Sequence, residues 1–325
     1  MAEDAAWRPA ACFHRIKARA ALLAEIRSFF QRAGVLEVDT PTLSQAAATD
    51  PAIESLHTRY NGPGAPPGGM LYLHTSPEFA MKRLLAAGSG PIYQICKVFR
   101  DAERGRYHNP EFSLLEWYRP QFDHHRLMDE VEALLQSLLP APRPVVRVSY
   151  RELFHRYLDI DPHDVTCASL RRLAGQQGIK GDLELSGTDA WLDLLLSHCI
   201  EPQLAGTGLC FVYDFPASQA SLARINPGSP PLAARFELYL DGVELANGFH
   251  ELGDADEQRL RFQTDLERRR RGNNALLPMD QRLLTALHSG LPDCSGVALG
   301  IDRLLMRMTD ADHIDQVLAF PLERA

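Results

Sequence analysis

The chain is expected to have an α+β fold, because both amphipathic helices and hairpin-connected strands are predicted along it. Apolar residues recur at helical spacing over 15–33, and Gly34 then supplies a stop signal. Farther along, Asp241-Gly242 separates two apolar runs and predicts a tight hairpin. A chain of 325 residues can hold two average domains or one large one. We predict one domain over 1–325, with a helical insertion at about 140–205.

The remaining elements follow from local patterns of the same kind. The segment 35–41 alternates like a short strand and ends in Pro41, which cannot donate to a strand ladder. The segment 61–69 is rich in Gly and Pro and lies between two β-like runs, so we interpret it as a hairpin loop. Apolar periodicity, turn residues and charge predict the other elements. They are strands at 93–100, 111–118, 209–215 and 236–249, a charged helix at 254–271, and a strand followed by a helix over 296–308.

Charge and composition exclude several classes of function. The formal net charge of -8 argues against a broadly basic surface for nucleic acid, although a local arginine cluster could still contact phosphates. The N-terminus carries Glu3 and Asp4 without an apolar leader, and no apolar run approaches membrane-spanning length, so we expect a cytoplasmic protein. The cysteines lack the spacing of a metal site, and we interpret them as reduced core thiols. They are Cys12, Cys96, Cys167, Cys199, Cys210 and Cys294.

The predicted long hairpin at 93–118 is the first candidate for chemistry. The sequence contains no P-loop, no G-x-S-x-G elbow and no H-E-x-x-H zinc helix, so nucleotide chemistry would need another scaffold. Arg100 at a strand end and Arg106 and His108 in the loop offer cations to phosphates. An ordinary amphipathic hairpin with surface salt bridges explains these residues equally well. Strand alternation places on one face Phe112, Leu114, Glu116 and Tyr118.

The hairpin predicted within 236–249 is the second candidate, because it carries a pair of carboxylates. A two-residue turn pairs Tyr239 with Glu244, so Glu237 lies diagonally across from Glu244 on the same face. Mg²⁺ takes one or two carboxylates together with substrate phosphates, which suits this pair. A solvated acidic face is the alternative for these residues.

The position of Glu251 depends on whether the second strand of this hairpin is regular. Strict alternation from Glu244 sends Glu251 to the opposite face. A bulge at Gly248 would bring it back to the face of the carboxylate pair. Without that bulge, Glu251 is interpreted as a surface acid before the next helix.

Three ordered segments resemble the signature motifs of class II aminoacyl-tRNA synthetases. Motif 1 resembles 34–41, motif 2 resembles 99–112, and motif 3 resembles 296–303. The wording between the motifs resembles that of lysyl-tRNA synthetases, and several spaced segments are more specific than one short motif. The matching segments are Thr75-Ser76-Pro77-Glu78, His108-Asn109-Pro110-Glu111-Phe112, Phe236-Glu237-Leu238, Ala246-Asn247-Gly248-Phe249 and Glu251-Leu252. The resemblance covers nearly the whole chain.

The resemblance implies an antiparallel sheet flanked by helices, a homodimer with motif 1 at its interface, and a role for each matching residue. The implied catalytic residues are Arg100, Glu244 and Arg303. The implied ATP-binding residues are Arg100, Glu103, Arg106, His108, Asn109, Phe112, Glu244, Leu245, Gly300 and Arg303. The implied amino-acid-binding residues are Ser76, Pro77, Glu78, Glu116, Tyr118, Asn247, Glu251 and Ala298. The implied Mg²⁺ ligands are Glu237 and Glu244.

Within this superfamily the chain is similar to the elongation factor P--(R)-β-lysine ligase family, truncated paralogues that lysylate a protein instead of tRNA. The first predicted helix begins near Arg15, so we expect no anticodon-binding domain before it. The resemblance implies that ATP and (R)-β-lysine, or less well α-lysine, form an adenylate, and that the lysyl group passes to a lysine of elongation factor P. The alternatives are a tRNA-lysylating enzyme, which the acidic charge disfavours, and an inactive regulatory paralogue, which the retained catalytic residues disfavour.

Two positions depart from the synthetase pattern, and one charged run lies outside it. In motif 2 the acid stands at Glu103, one place later than the resemblance expects. Ala298 stands where lysyl-tRNA synthetases have glycine, which implicates the amino-acid pocket and the choice between lysine isomers. The arginine run 268–271 ends a charged helix, and docking of an acidic acceptor protein is one hypothesis for it. A solvated helix face is the alternative.

Overall fold

A computed structural model describes residues 7–179 and 185–325. The N-terminal acids Glu3 and Asp4, and part of the predicted helical insertion, lie outside the described residues. The chain divides into two compact units. The first unit is Met1–Phe122 with Gly253–Ala325, and the second is Asp123–Leu252. The single domain with one insertion stays a prediction.

Helices and strands are mixed along the described residues. The α-helices are α1 (Phe13–Arg32), α2 (Glu78–Ala86), α3 (His124–Leu138), α4 (Tyr150–Leu158), α5 (Cys167–Gln176), α6 (Thr188–Leu195), α7 (Ala255–Arg271), α8 (Gln281–Gly290) and α9 (Ile301–Met308). The strands are β1 (Leu36–Glu37), β2 (Leu43–Ser44), β3 (His57–Arg59), β4 (Met70–Leu73), β5 (Ile92–Phe99), β6 (Glu111–Pro120), β7 (Val145–Ser149), β8 (Leu209–Pro216), β9 (Ile225–Asn226), β10 (Leu232–Leu240), β11 (Val243–His250) and β12 (Cys294–Gly300). Within the described part of the chain, no helix is both long enough and apolar enough to cross a membrane.

In the first unit the longer strands follow the order β1-β5-β6-β12. Its β5/β6 and β6/β12 pairs are antiparallel, and only the short β1 pairs in parallel, with β5. The register sets Gln94, Glu116 and Ala298 side by side across three strands. Directly opposed residues of antiparallel strands share a face, so these three side chains lie on one face of the sheet. The expected antiparallel sheet flanked by helices is confirmed.

Helix α1 packs against the other face of this sheet. Its Phe30 is fully buried, stacks on Tyr93 with ring centroids 4.5 Å apart, and meets the Trp117 ring edge-on at 5.3 Å. Such aromatic pairs add about 0.5–1.5 kcal/mol each beyond the burial of area. Because neighbouring strand residues point to opposite faces, this packing leaves the face with Gln94 and Glu116 available for a site.

The strand predicted at 35–41 is shorter in the structure. It pairs with β5 only at Leu36 and Glu37, and Pro41 follows soon after. A short parallel edge strand needs few partners, and a proline cannot donate a further ladder bond. The predicted hairpin around the Gly- and Pro-rich loop is confirmed, because β3 and β4 pair antiparallel on either side of it.

In the second unit the strands follow the order β11-β10-β8-β7, with β9 beside β10. Helices α4, α5 and α6 supply much of its core. Phe154, Leu170 and Trp191 of these helices are buried in one cluster with Val212 of β8 and Tyr239 of β10. Full burial of one large apolar side chain stabilises a fold by about 1.5–3 kcal/mol. The predicted helical segment therefore shares a core with the strands of its unit.

The predicted Asp241-Gly242 hairpin between β10 and β11 is confirmed. Both turn residues have positive φ, 49° and 80°, as the mirror-image turns of tight hairpins require. A Cβ atom at Gly242 would lie 2.6 Å from the carbonyl oxygen of Glu201. Glycine is therefore required at this position both by backbone conformation and by the close approach of another chain segment.

Not all of the cysteines are core thiols. Cys210 and Cys294 are buried, as predicted, but Cys12 and Cys167 are exposed. Cys12 is the N-cap residue of α1, and Cys167 is the first residue of α5. Both positions lie at the start of a helix, where the backbone leaves the side chain in solvent. The prediction of a core thiol was therefore wrong for Cys12 and Cys167.

The arginine run at the end of α7 is not a uniform surface patch. Arg269 is fully buried, whereas Arg268, Arg270 and Arg271 are exposed. The docking hypothesis is therefore wrong for Arg269, because helical geometry turns this one residue of the run toward the segment 49–54. Its guanidinium donates to the carbonyl oxygens of Thr49, Asp50, Ile53 and Ala275 and to Oε1 of Glu54.

Candidate active site

Arg100 directly follows β5, where the sequence predicts a phosphate-binding cation. Its Nε donates to the carbonyl oxygen of Thr75 at 3.4 Å, and its guanidinium carbon lies 5.1 Å from the centroid of the Phe112 ring. The Oε1 atom of Glu103 is 3.8 Å from Nη1 of Arg100. Both side chains of this ion pair are about a quarter exposed (27%), and partly exposed pairs contribute little. Phosphate oxygens could therefore replace Glu103 at small cost.

The rest of the β5–β6 loop is attached to the C-terminal segment of the same unit. Arg106 Nε donates to the carbonyl oxygen of Asp312 at 2.7 Å. Asn109 is buried, and its Nδ2 donates to the carbonyl oxygen of Glu111 at 2.7 Å while its Oδ1 accepts from the Leu322 N–H at 3.4 Å. These two predicted ATP ligands thus help to hold the loop in place through part of their hydrogen-bonding capacity.

Helix α9 brings Arg303 to the same loop. Gly300 ends β12 and is the N-cap residue of α9. Arg303 is half-buried, with Nη2 2.7 Å from Nε2 of His108 and Nε donating to the carbonyl oxygen of Tyr107 at 3.4 Å. Two predicted ATP-binding residues, Arg303 and His108, are therefore direct neighbours although they are far apart in sequence.

A buried carboxylate fixes the start of α9. Asp302 accepts from the backbone N–H of Ser113 on β6 at 2.6 Å and from the guanidinium of Arg19 on α1. Asp302 is nearly fully buried, and removal of one partner from a buried ion pair typically costs about 3–5 kcal/mol. This anchor holds the helix that carries Arg303, and neither Arg19 nor Asp302 belongs to the predicted site.

Glu116 on β6 is held by two hydroxyl groups. The Ser76 hydroxyl donates to Oε2 and the Tyr118 hydroxyl donates to Oε1, each at 2.7 Å. Glu116 is 2% exposed, and Ala298 lies directly opposite it on β12. Four predicted amino-acid-binding residues are thus together in one place, around a buried acceptor that suits an ammonium group.

Glu78 at the start of α2 has a counter-ion that the sequence analysis missed. Lys82 is 1% exposed, and its Nζ lies 2.6 Å from Oε1 of Glu78. The Glu78 N–H donates to Ser76 Oγ at 3.0 Å, and Pro77 is the N-cap residue of α2. The spacing of an acid and a lysine four residues apart on a helix was a usable signal. A buried cation therefore compensates part of the negative charge near Glu116.

In the second unit, the β10/β11 hairpin contains a bulge. Tyr239 pairs with Glu244 as predicted, but Glu237 pairs with Asn247, so β11 has one extra residue between these two pairs. Directly opposed residues share a face, and all four side chains therefore lie on one face of the hairpin. The predicted placement of both carboxylates on one face is found.

The bulge is not at the position considered from sequence. The extra residue is Leu245, which is buried, rather than Gly248. Bulges insert where local twist is strong, and this one lies close to the tight turn. Because of this extra residue, Glu251 lies on the same strand face as Asn247 and Glu244. Glu251 pairs with Ala223 and is 2% exposed, so it is not a surface acid.

Glu237 has close protein partners. Tyr239 donates its hydroxyl to Oε2 at 2.6 Å, and the guanidinium of Arg235 pairs with Oε1. Burial raises the pKa of Glu237, the charge of Arg235 opposes this rise, and the nearby Glu244 carboxylate adds to it. Arg235 also donates from Nε to Oδ1 of Asn247 at 3.2 Å. The sequence analysis missed Arg235, although its position two residues before Glu237 on the same strand face was a signal.

Comparison with known proteins identifies the family of this chain. The family model of tRNA synthetases class II (D, K and N) matches residues 5–324. The chain belongs to this family. It is 49% identical to the elongation factor P--(R)-beta-lysine ligase of Klebsiella pneumoniae subsp. pneumoniae, over 100% of both chains. It is 51% identical to the proteins of the same name in Photobacterium profundum, over 98% of this chain and 99% of the relative, and in Yersinia enterocolitica, over 100% of both.

The class II synthetase recognised from motifs is therefore confirmed, as is its resemblance to the elongation factor P--(R)-beta-lysine ligases. The chain is a ligase with a class II synthetase catalytic domain, and ATP is the nucleotide that this family uses. The roles of single residues follow from the geometry above only as proposals, because the family match concerns the whole domain.

One partly desolvated acid on α6 of this class II synthetase predicts a pH-dependent stability. Burial raises the pKa of Asp193 on α6 to about 6 from 3.8, with Arg235 opposing the rise and Glu237 adding to it. The fold thus favours the protonated acid. This contribution to stability is fully present below pH 3.8 and is lost as the pH rises through about 6.

We expect Asp193→Asn, which mimics the protonated acid, to exceed wild type in free energy of unfolding by about 1 kcal/mol at pH 8, because the Asp193 side chain is exposed and solvent screens much of the interaction. The difference should shrink as the pH falls toward 4. Urea titrations across this range measure it. Asp189→Asn, one turn earlier on α6, shows what removal of a charge from this helix does by itself. A constant difference between Asp193→Asn and wild type at every pH would contradict the prediction.

Proposed function

We propose that this chain activates (R)-β-lysine with ATP and transfers it to a lysine side chain of elongation factor P. Relatives that match this chain over 99–100% of their own length are named elongation factor P--(R)-beta-lysine ligase. The observation that carries the proposal is the buried Glu116 carboxylate, oriented by Ser76 and Tyr118 and directly opposite Ala298. A fixed, desolvated carboxylate of this kind binds a primary ammonium in one orientation, which a lysine-type substrate requires.

In the first step an oxygen of the amino-acid carboxylate attacks the α-phosphorus of ATP in line. The new P–O bond forms as the bond to the β-phosphate oxygen breaks, and pyrophosphate leaves. Arg100 and Arg303 supply planar guanidinium groups for phosphate oxygens, His108 lies beside Arg303, and Phe112 offers a ring face to adenine. These residues act by position and charge, so no protein nucleophile is needed.

We propose Glu237 and Glu244 as the ligands of Mg²⁺. They share one face of the β10/β11 hairpin. The charge of Glu244 adds to the rise in the pKa of Glu237, and a cation between the two carboxylates would offset their repulsion. Arg235 and Tyr239 each use one lone pair of Glu237, and each carboxylate oxygen has a second. When bound, Mg²⁺ neutralises charge on the phosphates.

In the second step the neutral amine of the acceptor lysine attacks the carbonyl carbon of the mixed anhydride. The bond from this carbon to the phosphate oxygen breaks, AMP leaves with the electron pair, and the nitrogen loses a proton. The product is an amide on the acceptor side chain. The protein contributes orientation of the two reactants, which is a large part of catalysis in such transfers.

The test is intact-mass analysis of elongation factor P after incubation with the protein, ATP and (R)-β-lysine. One added lysyl mass that requires ATP is the expected result. A parallel reaction supplies tRNA in place of the acceptor protein. Lysine-dependent pyrophosphate exchange with charged tRNA and unmodified elongation factor P would favour the tRNA-lysylating alternative, and absence of exchange would favour an inactive paralogue.

Ala298 is predicted to set the choice between lysine isomers. Its methyl group lies beside Glu116 where a glycine would leave more room, and this takes volume from one side of the pocket. We expect wild type to prefer β-lysine and Ala298→Gly to improve use of α-lysine by about 10–200-fold in kcat/KM, the range for a methyl-sized change. Pyrophosphate exchange with both amino acids on both proteins measures this. An unchanged preference ratio would exclude Ala298 as the determinant.

Three further parts of the proposal rest on the resemblance. We propose a homodimer with the segment 34–41 at its interface, a cytoplasmic location, and no productive binding of tRNA. Sedimentation of the purified protein tests the first. The tRNA arm of the mass experiment tests the last.

A further inference from the structure

Gln94 on β5 is a buried amide outside the predicted site. It is 1% exposed, and among the residues that the structure describes neither Oε1 nor Nε2 has a hydrogen-bond partner of normal geometry. The nearest polar group on its own strand face is the Cys96 thiol, which is at best a weak partner. A buried amide without partners costs about 1–3 kcal/mol for each group. Such a cost is retained where a ligand supplies the missing partner.

The register of the sheet places this amide next to the amino-acid pocket. Gln94 lies directly opposite Glu116 on β6, and Glu116 lies directly opposite Ala298 on β12. Opposed Cβ atoms of antiparallel strands are about 4.5–5.5 Å apart and share a face. The amide therefore flanks the Glu116 carboxylate on the side away from Ala298.

The charge distribution around this row favours a neutral acceptor at position 94. Glu116 accepts from Ser76 and from Tyr118, which fixes the orientation of its carboxylate. Its negative charge is felt along this face, since burial raises the pKa of Cys96 to about 12 and the charge of Glu116 adds to the rise. A second carboxylate at this distance would repel the first, whereas an amide carbonyl accepts without repulsion.

We propose that Gln94 is a specificity-determining residue that binds, through Oε1, the amino group of the substrate held by Glu116. An ammonium carries three N–H donors, and a single carboxylate in this position cannot satisfy all of them. Gln94 and Glu116 together present two acceptors from adjacent strands, which fixes the direction of the C–N bond. This inference rests on the proposed activation of a lysine-type amino acid.

Gln94→Met tests the inference, because methionine has a similar volume and lacks the amide. Loss of a hydrogen bond to a charged group costs about 1.5–3 kcal/mol, which corresponds to about 10–150-fold. We expect the KM for β-lysine in pyrophosphate exchange to rise within this range and the KM for ATP to change less than about twofold. A structural role alone would alter both constants together or neither.

Two further variants make the test independent of folding effects. Lys97→Met lies on the same strand and the opposite face, where the lysine side chain is exposed, and it should leave both KM values unchanged. Gln94→Asn keeps a neutral amide acceptor on a side chain one methylene shorter, so its KM for β-lysine should fall between wild type and Gln94→Met. Urea titration of each variant reports whether it is folded.

The outcomes separate this inference from the proposed function. Wild type active in exchange, with Gln94→Met unchanged in the KM for β-lysine, would overturn the role of Gln94 and leave the function standing. A Gln94→Asn variant weaker than Gln94→Met would show that a neutral acceptor at this position does not aid binding, which also overturns it. Absence of lysine-dependent exchange in wild type would overturn the function and the inference together.

Discussion

Glu244→Gln and Arg303→Ala are each expected to abolish adenylate formation while leaving the folded protein intact. Both side chains are only half-buried, and neither is part of a hydrophobic core. Arg303 lies against His108 and the Tyr107 carbonyl, a position from which it can meet a nucleotide. Removal of one such electrostatic contact in a desolvated site costs about 100–1,000-fold in rate. Pyrophosphate exchange measures the loss.

Two controls define this result. Arg259→Ala removes an exposed arginine of α7 whose Nη1 donates to Oε1 of Gln281 on α8, and it should keep wild-type exchange. Arg303→Lys keeps the charge without the planar fork and should recover only part of the activity. Wild-type exchange in Arg303→Ala or Glu244→Gln would remove the residue concerned from the site.

Arg269→Met is expected to lower the free energy of unfolding by about 3–5 kcal/mol, the range for breaking a buried charge network. The Arg269 guanidinium is fully buried and donates to four carbonyl oxygens and to Glu54. Methionine fills the space but leaves these acceptors without their donor. Urea titration at neutral pH measures the change.

Arg271→Met is the matched control, because its side chain is 82% exposed and lies in the same run. A change at such a surface position is usually within about 0.5 kcal/mol. Equal destabilisation by both variants would contradict the assignment of Arg269 as an interior anchor. The exposed arginines at 268, 270 and 271 stay candidates for docking of an acidic acceptor, with a solvated helix face as the alternative.

The sequence alone determined those features that depend on local periodicity and on short sequence motifs. Side chains alternate along a strand whatever packs on it, so Phe112, Glu116 and Tyr118 could be placed on one face in advance. The Asp241-Gly242 turn was predicted correctly for the same reason, since its backbone demands are met by two adjacent residues. The spaced motifs identified the synthetase family before any contact was known.

Only the tertiary structure decided which polar groups are already satisfied. Helical spacing does not reveal that Arg269 turns into the interior while Arg268 does not, because that depends on the segment packed against α7. The bulge at Leu245, and with it the face of Glu251, depends on how β11 registers with β10. The isolated amide of Gln94 is visible only when its neighbours on β6 are known. Hydrogen bonds and burial join residues distant in the chain, and a pattern of near neighbours contains no record of them.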